Sequence, residues 1–139
     1  MTFIRGRISR EEGVAAVEFA LILPVLALLL FGVLEFGRVW SQYQVYQGAA
    51  REGARCAAVQ ATGFSDCDIQ TTIKDAAAPY KFSSANVQLV GGGSRPNGCL
   101  DADQGEDVQV SWQQSLNINI PFWSDVTMTP TIKAVFRCE

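Results

Sequence analysis

Residues 10–36 read REEGVAAVEFALILPVLALLLFGVLEF, from Arg10 to Phe36, and this stretch decides the fold. A lone glycine, Gly13, follows a basic leader that holds Arg5, Arg7 and Arg10. The hydrophobic run then opens at Val14 and carries one carboxylate, Glu18, near its start. A charge at the centre of a membrane segment costs about 3 kcal/mol on insertion scales. Glu18 therefore needs either a compensating partner or a use. The uncharged core, Phe19 to Leu34, spans about 24 Å as a helix, short of a hydrocarbon layer of roughly 30 Å. Counted from Val14 it reaches about 32 Å. The segment thus spans comfortably only with Glu18 inside the membrane near one face. Pro24, a turn and a half beyond Glu18, is a kink position that neighbouring helices can repair.

The flanks orient the segment. The arginines precede it, so the N-terminus is expected in the cytoplasm and everything beyond Phe36 on the far side. A cleaved secretory signal would need a small-x-small pattern after the apolar core, and Leu34-Glu35-Phe36-Gly37-Arg38 fits that poorly. Cysteine usage points to the same side independently. Cys56, Cys67, Cys99 and Cys138 all follow the apolar run, none forms a close CxxC pair, and an even count beyond a membrane implies an oxidising compartment and two disulfides. Three pairings are open. Cys56–Cys67 closes a short loop and Cys99–Cys138 ties down the C-terminus, and these two are favoured.

The chain has 139 residues, enough for one membrane segment and one modest domain. Its apolar content of 48% is uneven, concentrated before residue 37 and ordinary afterwards. The net charge of −3 and the lack of a basic stripe argue against nucleic acid as a partner. There is no histidine, which removes the commonest general base and a major metal ligand together.

The helix is expected to continue past the membrane. Val39, Tyr43, Tyr46, Ala50, Ala54 and Ala57 recur at spacings of three and four, with arginines, glutamines and a glutamate between them. Gly48 and Gly53 weaken it slightly, and Gly63 is the expected stop. The result is one helix from Val14 to about Val59. Its small residues are read chiefly as packing on the protein's own sheet, with subunit contact second. A shorter helix starts at Asp66 or Asp68, with Asp68 able to cap it, carries Ile69, Ile73 and Ala76 or Ala77 on its apolar face, runs to about Ala78 and is closed by Pro79. Three strands follow: Asn86–Val90 with Val87 and Leu89 on one face, Asp107–Leu116 with Val108, Val110 and Trp112, and Thr127–Arg137 with Ile132, Ala134 and Phe136. Pro121-Phe122-Trp123 lies between strands as a cover for an open end of the core. The economical fold is α+β, a small antiparallel sheet packed on the long helix.

Several tempting sites have little behind them. Gly91-Gly92-Gly93 precedes Ser-Arg-Pro-Asn-Gly, which cannot open a helix, so it is a surface loop rather than a phosphate loop. Asp101, Asp103, Glu106 and Asp107 lack the spacing and terminal Glu of a calcium loop and read as a solvated acidic turn. No metal site is expected. No serine or cysteine has a histidine base, and Glu18 and Glu35 stand roughly 25 Å apart on one helix. The chain is not expected to be an enzyme.

GVAAVEF, starting at Gly13, resembles a type IV prepilin processing site: a basic leader, a glycine, then an apolar helix whose fifth residue is glutamate. Phe19 after Glu18 resembles the Flp-type subfamily. The fuller run EEGVAAVEFALILPVLALLLFGVLEFGRVWSQYQVYQGAAREGARCAAV, residues 11–59, is similar to the TadE-like family, pseudopilins of the tight-adherence (Flp, type IVc) pilus machinery. From Gly63 onward no motif aligns. The resemblance implies a pilin-like fold with no cofactor. It divides the chain into a leader (1–13) cut between Gly13 and Val14, a transmembrane helix (14–36), its periplasmic amphipathic continuation (37–60) and a periplasmic α+β domain (61–139). It implies prepilin peptidase, other pilin and pseudopilin subunits, an inner-membrane assembly platform and membrane lipid as partners. Glu18 would pair with the new amino group of Val14 on a neighbouring subunit, with Phe19 beside it. Major Flp pilins are far shorter, so a minor pilin or pseudopilin that builds, primes or caps an adhesive pilus is the expectation. The alternative is a bitopic periplasmic adaptor that stays in the bilayer.

Overall fold

The computed structural model describes residues 10–62, 67–120 and 124–139. Helix α1 runs from Arg10 to Ala58, 49 residues and about 74 Å long. The described helix already includes Arg10, a turn before the expected start at Val14. It continues through Pro24 without a break in secondary structure. A single 3₁₀ turn, Val59–Thr62, ends it, and the expected stop at Gly63 lies outside the described residues.

Helix α2, Ile69–Ala77, opens where the sequence places its cap. Asp68 accepts from the backbone N–H groups of Gln70 (3.0 Å) and Thr71 (3.2 Å), and the Thr71 hydroxyl donates to its other oxygen at 2.9 Å. The Thr71 hydroxyl, and then its N–H, hold the Asp68 carboxyl below its ordinary range. Ile69, Ile73 and Ala77 are the buried face of α2 and lie against α1.

The strands are β1 (Asn86–Leu89), β2 (Asp107–Gln113), β3 (Leu116–Ile118), β4 (Val126–Met128) and β5 (Thr131–Arg137). An antiparallel sheet has the order β1-β2-β5, and β3 pairs with β4 in a separate antiparallel ribbon. The two long strands expected from the sequence are therefore each divided. Gln113 faces Thr131, Gln114 N–H donates to Pro130 O at 3.1 Å, and Leu116 faces Met128, so one register runs through both ribbons. The ladder is interrupted at Pro130, which has no N–H to return to Gln114. One long hairpin thus has an upper half in the main sheet and a lower half beside α1.

The core lies between the upper half of α1, α2 and the main sheet. Tyr46, Ala49, Ala50, Ala54 and Ala57 of α1 are buried against Val87, Val108, Val110, Trp112 and Ile132. Trp112 stands edge-on to both Tyr46 (6.5 Å) and Phe82 (5.2 Å), and Tyr46 donates its hydroxyl to Lys81 O at 2.9 Å. Phe136, expected to complete the inner face of β5, is 39% exposed, since β5 is an edge strand and its far end is uncovered. Gly53 is more than a weak point in the helix. A Cβ there would stand 2.6 Å from the Ile73 Cδ1, so glycine is what lets α2 approach α1 this closely.

Candidate functional site

The lower half of α1 projects away from the domain. Val14 (59%), Phe19 (63%) and the aliphatic residues from Leu21 to Leu34 are exposed around the whole helix circumference. Soluble monomers do not present such a surface to water, so lipid or protein must cover it. Gly13–Ala58 is the single helix among the described residues long and apolar enough to cross a membrane by length and composition. Gly13, Val14, Glu18 and Phe19 sit together on its first turns and are exposed. Val14 and Glu18 are four residues apart and share one face. Among the described residues, nothing from the rest of the chain covers these turns.

At the other end of the apolar run, charge reappears as a fixed device. Glu35 and Arg38 are paired one turn apart, with Arg38 Nε donating to the carboxylate at 3.0 Å. Both also grip β3. Glu35 accepts from Asn119 N–H at 2.8 Å, and Arg38 donates to Asn117 O at 2.8 Å. The free edge of β3 is thereby closed by side chains of α1 rather than by another strand. The Glu-Arg spacing of three is visible in the sequence as a helical ion pair. Its role in holding β3 is not, because the two groups are some eighty residues apart in the chain.

Beside this clasp, between α1 and the hairpin, lies an apolar groove of about 480 Å³. Leu28, Phe31 and Phe36 form one wall and Ile118, Ile120 and Met128 the other.

The distal end of α1 is anchored covalently. The disulfides are Cys56–Cys67 and Cys99–Cys138, and no cysteine is free. Cys99 N–H donates to Ala57 O at 2.8 Å and Glu139 N–H to Ala58 O at 3.3 Å, satisfying two carbonyls that a helix end leaves open. Gly98, at φ +93°, passes so close to the helix that a Cβ would stand 2.7 Å from Ala57 O.

The acidic turn is partly internal. Asp103 is buried, and Arg95 grips it with Nε at 2.6 Å and Nη2 at 2.7 Å, while Leu100 N–H adds a third bond at 2.8 Å. The Arg95 guanidinium, and then the Leu100 N–H, hold its carboxyl at about 2. Both of its oxygens are thus engaged within the protein. The glycine-rich surface loop and the solvated acidic turn expected from the sequence are in part buried. Gly98, Cys99 and Asp103 are buried, and Arg95 N–H returns to Val87 O at 2.9 Å. Among the described residues no cluster of three or more acidic or cysteine side chains is arranged to hold a metal. Pro121-Phe122-Trp123, expected as a cover for the core, lies outside the described residues.

No curated protein and no solved structure matches the chain. Residues 13–55 match the family model described as TadE-like protein. The match begins at Gly13 and ends in the buried stretch of α1, so it covers the apolar run, Glu18, the Glu35–Arg38 clasp and the small-residue face. Through this helix, which is less than half of the chain, the protein is similar to TadE-like proteins.

Proposed function

We propose that this protein is a minor pilin or pseudopilin of a Tad-type pilus. It enters the inner membrane with its N-terminus cytoplasmic and its domain periplasmic. Prepilin peptidase cuts between Gly13 and Val14, and the chain is then drawn into the filament, where it builds, primes or caps an adhesive pilus. The division proposed is a leader over 1–13, a membrane span over 14–36, a helical stalk over 37–60 and a periplasmic domain over 61–139.

The observation that carries this reading is the exposed first turns of α1, with Glu18 one turn beyond Val14 inside a family match that starts at Gly13. Cleavage would create an amino group at Val14. Glu18 of one subunit and that amino group on the next can neutralise each other in an apolar surround, where either alone is costly. The pair therefore rewards one docking register, and Phe19 packs beside it. Such a subunit needs its sister pilins, the peptidase that frees Val14, and an inner-membrane platform that extracts it from lipid. No cofactor or nucleic acid enters this scheme.

The test is the intact mass and N-terminal sequence of the protein extracted from membranes, before and after reduction. A chain starting at Val14, gaining two hydrogens per bridge on reduction, supports the pilin. A chain still starting at Met1 in cells with active prepilin peptidase overturns it in favour of a bitopic adaptor resident in the bilayer.

A further inference from the structure

We infer that the β3–β4 ribbon rests in the lipid–water interface of the membrane, and that the groove between it and α1 takes a phospholipid acyl chain from the leaflet on the domain's side. This rests on reading α1 as a membrane anchor.

Three observations point to it. First, the hairpin descends along α1 in the direction of the bilayer. Asn117 is held at Arg38 and Asn119 at Glu35, so the chain from Leu116 to Ile120 runs down the helix. The groove reaches Leu28, about 10 Å below Glu35. With a span ending near Phe36, its lower part lies at hydrocarbon depth. Second, one face of the ribbon is apolar where the domain no longer covers it, while Asn117, Asn119 and Thr127 lie on the other. Ile120 is 39% exposed, Val126 43% and Met128 54%. Ile120 and Met128 line the groove together with Leu28 and Phe31, and its polar lining, Glu35 and Asn119, is bonded to itself. Third, the backbone there is prepared for scarce water. Asn119 N–H and Asn117 O, on the edge of β3 that faces α1, are bonded to Glu35 and Arg38. Unsatisfied backbone groups cost several kcal/mol in lipid. The two gripping charges also neutralise each other.

Asp125, exposed just before β4, limits the depth to the interface, since a carboxylate does not enter the hydrocarbon cheaply. Lipid rather than protein is the occupant because the groove is continuous with the membrane-spanning surface and opens at its level. The ribbon then acts as a stop that sets how far α1 sinks into the bilayer.

The experiment places the photoreactive amino acid benzoylphenylalanine at Met128, at Leu26 in the span, or at Val135, which is 46% exposed on β5 toward the distal end of the domain. Each full-length protein is reconstituted in phosphatidylethanolamine–phosphatidylglycerol vesicles, irradiated, and read by intact mass and by gel. Lipid adducts at Leu26 and Met128, several-fold above those at Val135, are expected. Adducts at Leu26 with only the Val135 level at Met128 overturn the inference and leave the anchor standing. A crosslink between two copies at Met128 in place of lipid assigns the groove to a second subunit and also overturns it. Failure to label lipid at Leu26 removes the anchor and the inference together.

Discussion

Removing the Cys99–Cys138 bridge tests how the domain is fastened to its helix. The bridge joins residues 39 apart, whereas Cys56–Cys67 joins residues 11 apart. In the chain-entropy description, the first restricts the unfolded chain by about 4 kcal/mol and the second by about 3 kcal/mol. The structure widens that gap. Cys99 and Cys138 flank the two backbone groups that close Ala57 O and Ala58 O, so losing the bridge also loosens the covering of the helix end. The Cys99→Ala/Cys138→Ala protein should thus lose at least about 4 kcal/mol. The Cys56→Ala/Cys67→Ala protein should lose less, by more than about 1 kcal/mol. Urea unfolding of the full chain in detergent, followed by near-ultraviolet dichroism, measures both. With slopes of about 1–3 kcal/mol/M, the first variant's midpoint falls by roughly 1.5–4 M. The reasoning is refuted if removal of Cys56–Cys67 costs as much as removal of Cys99–Cys138, or if the longer bridge contributes under about 1 kcal/mol.

Other perturbations reach other parts of the molecule. Glu18→Ala should abolish incorporation into pili while the protein stays in the membrane, read by comparing sheared pili with membrane fractions; wild-type levels in pili would remove the pairing role. Gly53→Val should cost about 1–3 kcal/mol by overpacking against Ile73, with part recovered by Ile73→Ala in the same chain, as measured by urea midpoints. Arg95 holds the Asp103 carboxyl at about 2, below its ordinary 3.8, so the pair's contribution is complete above about pH 4 and disappears as pH falls toward 2. Asp103→Asn should be less stable than wild type at neutral pH and should lose less stability across that acid range. Tyr46→Phe should cost about 1 kcal/mol through loss of the hydroxyl bond to Lys81 O, and a neutral result would mean water replaces it.

Much of the architecture is legible in the residues. The three-and-four spacing from Val39 to Ala57 places the helix face that packs on the domain, Asp68 marks the start of α2, and the alternation of Val108, Val110 and Trp112 gives the inner face of β2. These features are local, so periodicity and capping chemistry suffice to find them. The break at Pro130 was open to the same reasoning, since a proline inside a strand pattern interrupts a ladder, yet the alternation on either side reads as one strand. Gly53 could not be told from Gly48 by sequence. Both sit in a helical pattern, and only the position of Ile73 makes one of them a close-contact site.

The TadE-like resemblance of the helix and its membrane-compatible apolar run are legible in the sequence by itself, because hydropathy and the Gly13–Phe19 motif are properties of consecutive residues. The clasp of Glu35 and Arg38 on the returning chain and the groove beside the apolar run were decided only by the tertiary structure. Each depends on bringing together groups some eighty residues apart, and a one-dimensional pattern records what a side chain is but not what the returning chain sets beside it.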